Sequence, residues 1–497
     1  MHAVVVGGGV TGLTAAYALA GAGIRTTLVE ASDRLGGKVR THVGDGFVVE
    51  EGPDSFIAVR PAATQLCREL GLGADLVGTK EPRAVYVLAG DRLIPMPDGL
   101  ALVLPTKFVP FATTRLFSWP EKARMGMDLV LPRGPMEGDD TVGGLLRRRL
   151  GDALVDRLAG PLVGGIYGTS IDELSLLGVL PTLRESERAH RSLLLASVAE
   201  ARQRKAREKA RSEKARAEAR AAAAATAGSG SSAQPSPTPP RSVFLSLRGG
   251  MTRMTDALAE ALGRSSAVDV RLGSTAVALD RTGAGYRLSL SDGTRVDCDA
   301  VVLATPAPVT AGLLDAAAPA TSAALRTIRY GGATIVSLAY RDSQLRRPVV
   351  GHGYVVAADA ANPLSAATIT SGKWPGRTPD GTILIRAFLR TEGAGALRGS
   401  ASDADVVAAA RAVIDRTLGT SGEPILARVA RWDGAMPRYT LGHLDRVAAA
   451  EAGLSGLPGV VLAGAAYRGV GLPDCVRQGR EAATKVLELA SGERAAA

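Results

Sequence analysis

The sequence predicts an α/β protein organised around a helix-covered parallel sheet, and three observations carry that prediction. Ala3–Val6 is a short β-prone run followed by Gly7, Gly9 and Gly12 in the order G-x-G-x-x-G. The next stretch, Leu13–Ala20, is rich in alanine and leucine, both strong helix formers. A second strand, Thr26–Val29, then ends on Glu30. Strand, glycines, helix, strand and acid in this order form one βαβ unit. At 497 residues the chain exceeds a single ordinary core, so two or three lobes are expected.

Each part of the opening unit has a physical job. Glycines permit a tight turn and let backbone approach a pyrophosphate closely. The helix behind them offers free N–H groups and a positive dipole end to phosphate oxygens. Gly7, Gly8, Gly9, Val10, Thr11 and Gly12 are therefore candidate contacts to a dinucleotide, on a Rossmann-like lobe. Glu30 stands eighteen residues after Gly12, where an acid accepts hydrogen bonds from a ribose hydroxyl.

The residues after the acid choose the dinucleotide. Arg34-Leu35-Gly36-Gly37-Lys38 has no role in a simple NAD-binding unit. This R-x-G-G-[KR] run resembles the second fingerprint of FAD-dependent amine oxidases and their relatives. The resemblance implies a glycine loop crossing the pyrophosphate, with basic groups facing the cofactor.

Composition narrows the class. Hydrophobic residues make up 46% of the chain, and the mean hydropathy is +0.11. No apolar run reaches bilayer-spanning length, and the first strand begins too early for a cleavable signal to precede it, so a cytoplasmic protein is expected. Cys67, Cys298 and Cys475 lack C-x-x-C spacing, as suits a reducing compartment. The scattered histidines argue against a metal centre. The net charge of +10 is no nucleic-acid signature: nine basic residues against four acidic ones between Glu200 and Arg220 supply half of it. That segment has no interleaved aromatics to stack on bases.

Along the chain, Phe47–Glu50 reads as a strand leading into the turn Glu51-Gly52-Pro53-Asp54-Ser55-Phe56. Pro61–Leu70 reads as an amphipathic helix, and Ala84–Leu88 with Arg92–Pro95 as a hairpin. From Pro97 to Trp119 the chain is apolar with proline interruptions; it packs on another lobe or rests on a membrane surface or a partner. Thr141–Leu158 is helical by pattern, and the glycine-rich bend Pro161–Gly168 carries Tyr167, either as a pocket wall or at a tight helix crossing. Leu193–Arg220 reads as a helix running out into a flexible Ala-, Ser- and Pro-rich linker, 221–241.

Order resumes with the strand Val243–Leu247, the helix Met254–Leu262, and strands at Val268–Leu272, Ala276–Leu279, Tyr286–Ser291 and Arg295–Val296. Ala300–Ala304 is continuously apolar, as in a buried parallel strand. Ser337–Tyr340, Gly353–Ala357, Ala366–Thr370 and Thr382–Phe388 suggest an antiparallel sheet in a second lobe, followed by the helix Asp403–Leu418 and the strand Arg428–Asp433. The last unit is Val460–Ala463, a glycine-bearing loop Gly464–Leu472, and a helix from about Pro473 to Leu489.

The R-x-G-G-K run, the G-P-D-S-F turn, the Gly165-Ile166-Tyr167-Gly168 wall and the tail GAAYRGVGLPDC (Gly464–Cys475) occur together here. As a set they resemble the oxygen-dependent protoporphyrinogen and coproporphyrinogen oxidases of haem biosynthesis, over nearly the whole chain except about 202–241. The resemblance implies an amine-oxidase-type FAD-binding lobe (1–75, 243–305 and 435–497), a helical subdomain (76–200), a disordered insertion (201–242) and a mixed-sheet substrate domain (306–434). It implies non-covalent FAD contacts at Gly7–Gly12, Glu30, Ala31, Arg34, Gly37, Lys38, Gly52, Pro53, Asp54 and Ser55. Val277 and Trp432 follow by analogy, and Val470, Gly471 and Leu472 would lie at the isoalloxazine end.

Tyr167 is the candidate substrate contact, and no catalytic acid or base is assigned. The Ala-, Gly- and Arg-rich usage resembles actinobacterial chains, and for such Gram-positive forms the resemblance implies coproporphyrinogen III as substrate, with O2 as oxidant. Protoporphyrinogen IX, or an amine oxidase or carotenoid desaturase activity, stays open by motif. Lys80, Arg83, Arg184 and Lys373 are candidate guides for an anionic substrate. A ferrochelatase is the implied pathway partner; contact with the inner face of the cell membrane, and monomer against homodimer, are left open.

Overall fold

The computed structural model describes residues 1–101, 103–134, 137–226, 242–283, 285–346, 348–358, 361–392, 395–397 and 400–496. Its first lobe is built on a five-stranded sheet in the order Val268–Arg271, Arg25–Val29, His2–Val6, Ala300–Leu303, Val460–Leu462. Every neighbouring pair in it is parallel. Three distant parts of the sequence thus meet in one sheet, with the opening strand at its centre.

Side-chain alternation along that central strand divides the core in two. Ala3 and Val5 face Leu13 and Leu19 of the helix Val10–Gly21, Leu258 of the helix Thr252–Gly263, and Val476 and Val486 of the helix Leu472–Ala496. Val4 and Val6 face the opposite way, toward Leu288 of a three-stranded antiparallel sheet and Val447 of the helix His443–Ala452. The first and last helices cross closely because Gly479 has no side chain: a Cβ there would stand 2.5 Å from the Thr11 carbonyl oxygen.

The second lobe is a seven-stranded sheet in the order Leu426–Pro437, Tyr330–Arg341, Thr382–Leu389, Leu364–Ile369, Gly353–Val356, Val85–Ala89, Arg92–Pro95. All its pairs are antiparallel except Gly353–Val356 with Val85–Ala89, which makes the sheet mixed. The sequence places the 84–95 hairpin with the helical subdomain; in the structure its backbone hydrogen bonds complete this sheet instead. One sheet face packs Val336, Leu338 and Tyr340 on Val413 and Ile414 of the helix Asp403–Leu418. The other turns toward the first lobe, where Ala339 and Leu384 meet Phe47 and Val49.

The helical subdomain closes around Leu145, Leu146, Leu150, Leu158 and Leu174, all buried. The helix expected over Thr141–Leu158 is broken at Gly151, whose φ of 87° suits glycine alone, and resumes as a wider π-helical segment, Val155–Gly164, with Pro161 inside it. In the 97–119 stretch Leu116 and Phe117 join the subdomain core, whereas Phe108, Val109 and Trp119 are 82%, 69% and 75% exposed. Among the described residues no helix is long and apolar enough to cross a membrane.

The helix read over Leu193–Arg220 is present and extends into the segment 201–242 for which disorder was expected. Leu193–Thr226 is one helix, as its alanines and long straight side chains favour. The remainder, 227–241, lies outside the described residues.

Candidate functional site

The glycine loop ends at Gly9, the N-cap of the first helix, which has no side chain to satisfy the first-turn N–H groups. A Cβ at Gly9 would meet nothing within 4 Å, so the space in front of those donors is open. At Gly12 the reverse holds: a Cβ would fall 1.8 Å from the Gly7 carbonyl oxygen. Glu30 reaches the same loop, one carboxylate oxygen accepting from Gly8 N–H at 2.6 Å and the other from Ser32 N–H at 2.9 Å and Oγ at 2.7 Å.

The second glycine run crosses directly over the first. Gly36 N–H donates to the Gly8 carbonyl at 2.8 Å, and a Cβ on Gly37 would touch Gly9 Cα at 3.1 Å. Arg34 spends its guanidinium on the Leu35, Gly37 and Val39 carbonyls, so it shapes this crossing from behind rather than reaching outward. Lys38 lies just beyond, its pKa lowered by burial. Val277, about half exposed, sits on the strand Ala276–Arg281 beside Ser274, whose N–H donates to the Glu30 carbonyl at 2.9 Å.

The G-P-D-S-F turn is gripped from the second lobe. Asp54 accepts from Lys373 Nζ at 2.8 Å and Trp374 Nε1 at 3.0 Å. Arg386 donates to the Gly52 carbonyl at 2.7 Å, and Trp432 Nε1 to the Glu51 carbonyl at 2.6 Å. Burial alone would raise the Asp54 pKa, but Lys373 and Arg386 together hold it far below the usual carboxylate range. Close by, buried Arg377 pairs with buried Glu50 at 3.1 Å; burial raises the glutamate and lowers the arginine. Lys373, a sequence candidate for guiding an anionic substrate, is thereby committed to Asp54. Arg184 is a second correction: it is buried in the helical subdomain beside Glu187. Lys80 reaches the Ser371 carbonyl, and Arg83 pairs with Glu81.

The third wall is the loop before the last helix. Tyr439 Oη donates to the Ala465 carbonyl at 2.7 Å and accepts from Gly469 N–H at 2.8 Å. Its ring stacks on His443 at 3.7 Å and stands 6.0 Å from the ring of Tyr167. His443 is fully buried, its ring nitrogen Nε2 lies 2.9 Å from the Tyr467 carbonyl, and burial pulls its pKa down to about 4. Burial likewise pushes the Tyr167 hydroxyl up to about 12, so it stays protonated. The last helix begins at Leu472, and Asp474 in its first turn pairs with Arg60. Cys475 is buried with its thiol raised to about 11, an unreactive setting.

Glu50, Arg377, Arg386, Trp374, Tyr439 and His443 escaped the sequence reading. Their roles come from lobes meeting in space, and the P-R-Y-T-L-G-H run bearing the last two was the sole available hint.

An open, uncapped helix N-terminus, an acid closing the second strand and a second glycine loop lying over the first define the class the fold and site belong to, a dinucleotide-dependent oxidoreductase of the flavoprotein type. Residues 10–487 match the family of flavin containing amine oxidoreductases. The coproporphyrinogen III oxidase of Propionibacterium freudenreichii is 46% identical over 98% of this chain and 91% of its own length. The enzyme of the same name from Bacillus subtilis is 33% identical over 98% of each chain. A crystal structure from Exiguobacterium sp. 255-15, provisionally named a protoporphyrinogen oxidase, superposes with a TM-score of 0.80 at 31% identity, covering 98% of this chain and 99% of that one. The chain belongs to the flavin containing amine oxidoreductase family, and its cofactor is FAD.

Proposed function

We propose that this protein oxidises coproporphyrinogen III to coproporphyrin III with O2, releasing H2O2, in haem biosynthesis. The observation that carries the reading is the 46% identity with the Propionibacterium coproporphyrinogen III oxidase along 98% of the chain. Three rounds, each removing two electrons and two protons, aromatise the macrocycle and consume three O2. Bound FAD would accept a hydride equivalent from a meso carbon and return the electrons to O2. Gly7–Gly12, Glu30, Ala31, Gly37, Lys38 and Gly52–Ser55 would hold it, with Val277 toward its adenine side and Val470–Leu472 toward the flavin ring.

The chain's own contributions are position and electrostatics. The N-terminus of the last helix presents N–H donors and a positive dipole end. Tyr167, kept protonated, can donate but not abstract a proton. No side chain is assigned as general base; pyrrole N–H protons leave to water.

The enzyme should give porphyrin fluorescence faster from coproporphyrinogen III than from protoporphyrinogen IX when initial rates are compared side by side. A faster rate on protoporphyrinogen IX would transfer the assignment to that substrate, which the 30% identity with the Bos taurus protoporphyrinogen oxidase supports. Peroxide from amines without porphyrin formation would sink both.

The location that accompanies this reading is the cytoplasm, with contact at the inner membrane face. Exposed Phe108, Val109 and Trp119 would enter the interface beside Lys107 and Lys122, the latter 4.7 Å over the Trp119 ring. Holoenzyme should co-sediment with phosphatidylglycerol vesicles, and Phe108→Ser/Trp119→Ser should abolish this. Equal recovery of both proteins in the supernatant would end the idea.

A further inference from the structure

The loop before the last helix is held from one side by two stacked rings. Tyr439 Oη donates to the Ala465 carbonyl and accepts from Gly469 N–H, and His443 Nε2 faces the Tyr467 carbonyl between them. Alternate residues of the loop, 465, 467 and 469, are thus bonded to one ring pair whose planes lie 14° apart. The pair is itself tied to the helical subdomain. The Tyr439 carbonyl accepts from Ser175 N–H at 2.7 Å, Leu441 N–H donates to the Glu173 carbonyl at 3.0 Å, and Gly442 N–H donates to Asp139 at 3.3 Å.

Both side chains are fully buried. A carbonyl only accepts, so the His443 proton is on Nε2, and Nδ1 is left as an acceptor without a partner. A buried orphan of this kind is costly, and a phenylalanine stacked on Tyr439 would escape that cost. What the histidine adds over a hydrocarbon ring is the bond to the loop.

The far end of the loop is fastened to the last helix. The Arg468 carbonyl accepts from Arg477 at 2.8 Å and the Gly469 carbonyl from Gln478 at 3.3 Å. Gly469 is therefore gripped on both sides, through its N–H by Tyr439 and through its carbonyl by Gln478. The N–H groups of the next three residues, Val470, Gly471 and Leu472, have no partner among the described residues. All three residues are half-buried. The nearby carboxylate, Asp474, is paired with Arg60. Unused donors at a helix start stabilise negative charge, and their effect falls off within a turn, so their placement decides its size.

We infer that Tyr439 and His443 are positioning residues for the flavin: through the loop they fix the free N–H groups of Val470–Leu472, and so set how strongly the site favours the reduced, negatively charged ring over the oxidised one. The inference rests on the placement of Val470–Leu472 toward the flavin ring given above.

The test compares FAD-loaded wild type with Tyr439→Phe and with the near-isosteric pair His443→Gln and His443→Leu, of which only the first keeps a donor for the Tyr467 carbonyl. The readouts are FAD per mole of protein, the two-electron midpoint potential of the bound flavin, and kcat and KM on coproporphyrinogen III. Tyr439→Phe and His443→Leu should keep full FAD content, since the first glycine loop is untouched. They should lose about tenfold in preference for reduced over oxidised flavin, the scale of one partly buried helix terminus. That lowers the potential by about 30 mV, and kcat should fall with KM unchanged. His443→Gln should lie closer to wild type than His443→Leu. A wild-type potential in Tyr439→Phe overturns the inference, even where its unfolding temperature falls. Should that variant fail to fold, equal potentials in His443→Gln and His443→Leu overturn it alone. Leu472→Pro, which deletes one free N–H at a helix position that suits proline, separates the layers. An unmoved potential there takes down the placement of the loop and this inference with it; a shift there with none in the ring variants takes down the inference only.

Discussion

Gly12→Ala is expected to produce a colourless protein with no measurable oxidase activity. The added Cβ would lie 1.8 Å from the Gly7 carbonyl oxygen, and neither atom is free to retreat. Gly7 is pinned by its N–H bond to the Val29 carbonyl at 2.8 Å and holds a φ of 106°. Gly12 is pinned because its helix packs on Gly479 of the last helix. Relief requires the first helix to lift from the sheet, which moves the N–H groups proposed to receive the pyrophosphate. Overpacking of this kind costs about 1–3 kcal/mol or more, and the damage falls on the binding loop itself. Gly9→Ala is the matched control: its Cβ meets nothing, and its φ of −75° suits any residue. That variant should unfold at the wild-type temperature as apoprotein while binding FAD more weakly, because only the ligand competes for the space. The measurements are flavin absorbance per mole of purified protein and apoprotein thermal unfolding. A Gly12→Ala enzyme with full FAD content and normal kcat would refute the role given to this glycine.

The contrast between Gly9 and Gly12 also marks how far the sequence could be read. The spacing G-x-G-x-x-G, the acid at the second strand and the later R-x-G-G-K run are local features. Each reports a backbone requirement within a few residues, so the fold of the opening strand–helix–strand unit was legible. The helix Asp403–Leu418 was legible to its ends for the same reason, being bounded by the capping box of Ser402 with Asp405 and by Gly419 at φ 73°. Nothing local told that Val85–Ala89 would pair with Gly353–Val356 across more than two hundred residues. Nor could charge counting separate Lys373, which holds Asp54, from a lysine left to meet substrate. Ion pairs between lobes are decided by the docking of two sheets, and docking leaves no period in the sequence.

The docking of those lobes leads to the second large effect: Asp54→Asn should loosen the grip on the G-P-D-S-F turn and change the acid limb of stability. Three cations, Lys373, Arg377 and Arg386, surround two carboxylates, Glu50 and Asp54, in a cluster where four of the five side chains are less than 15% exposed and Lys373 is 17% exposed. Removing the Asp54 charge leaves three cations facing one carboxylate. Breaking a buried pair by deleting one partner costs about 3–5 kcal/mol, mostly as the uncompensated charge left behind. Lys373→Met strands Asp54 instead and should cost a similar amount, whereas the double variant should recover part of the loss, since the two deletions share one interaction.

The sign of the pH dependence follows from Asp54, whose folded pKa is depressed. Its stabilisation is complete above the ordinary carboxylate value of about 4 and is lost as pH falls from there toward the folded value. Wild type should therefore lose stability below about pH 4 more steeply than Asp54→Asn, although the variant starts lower at neutral pH. Urea unfolding of the holoenzyme from neutral pH down through this window reads both effects. Parallel acid limbs for the two proteins, or strictly additive losses in the double variant, would show that Asp54 and Lys373 do not act as one latch between the lobes.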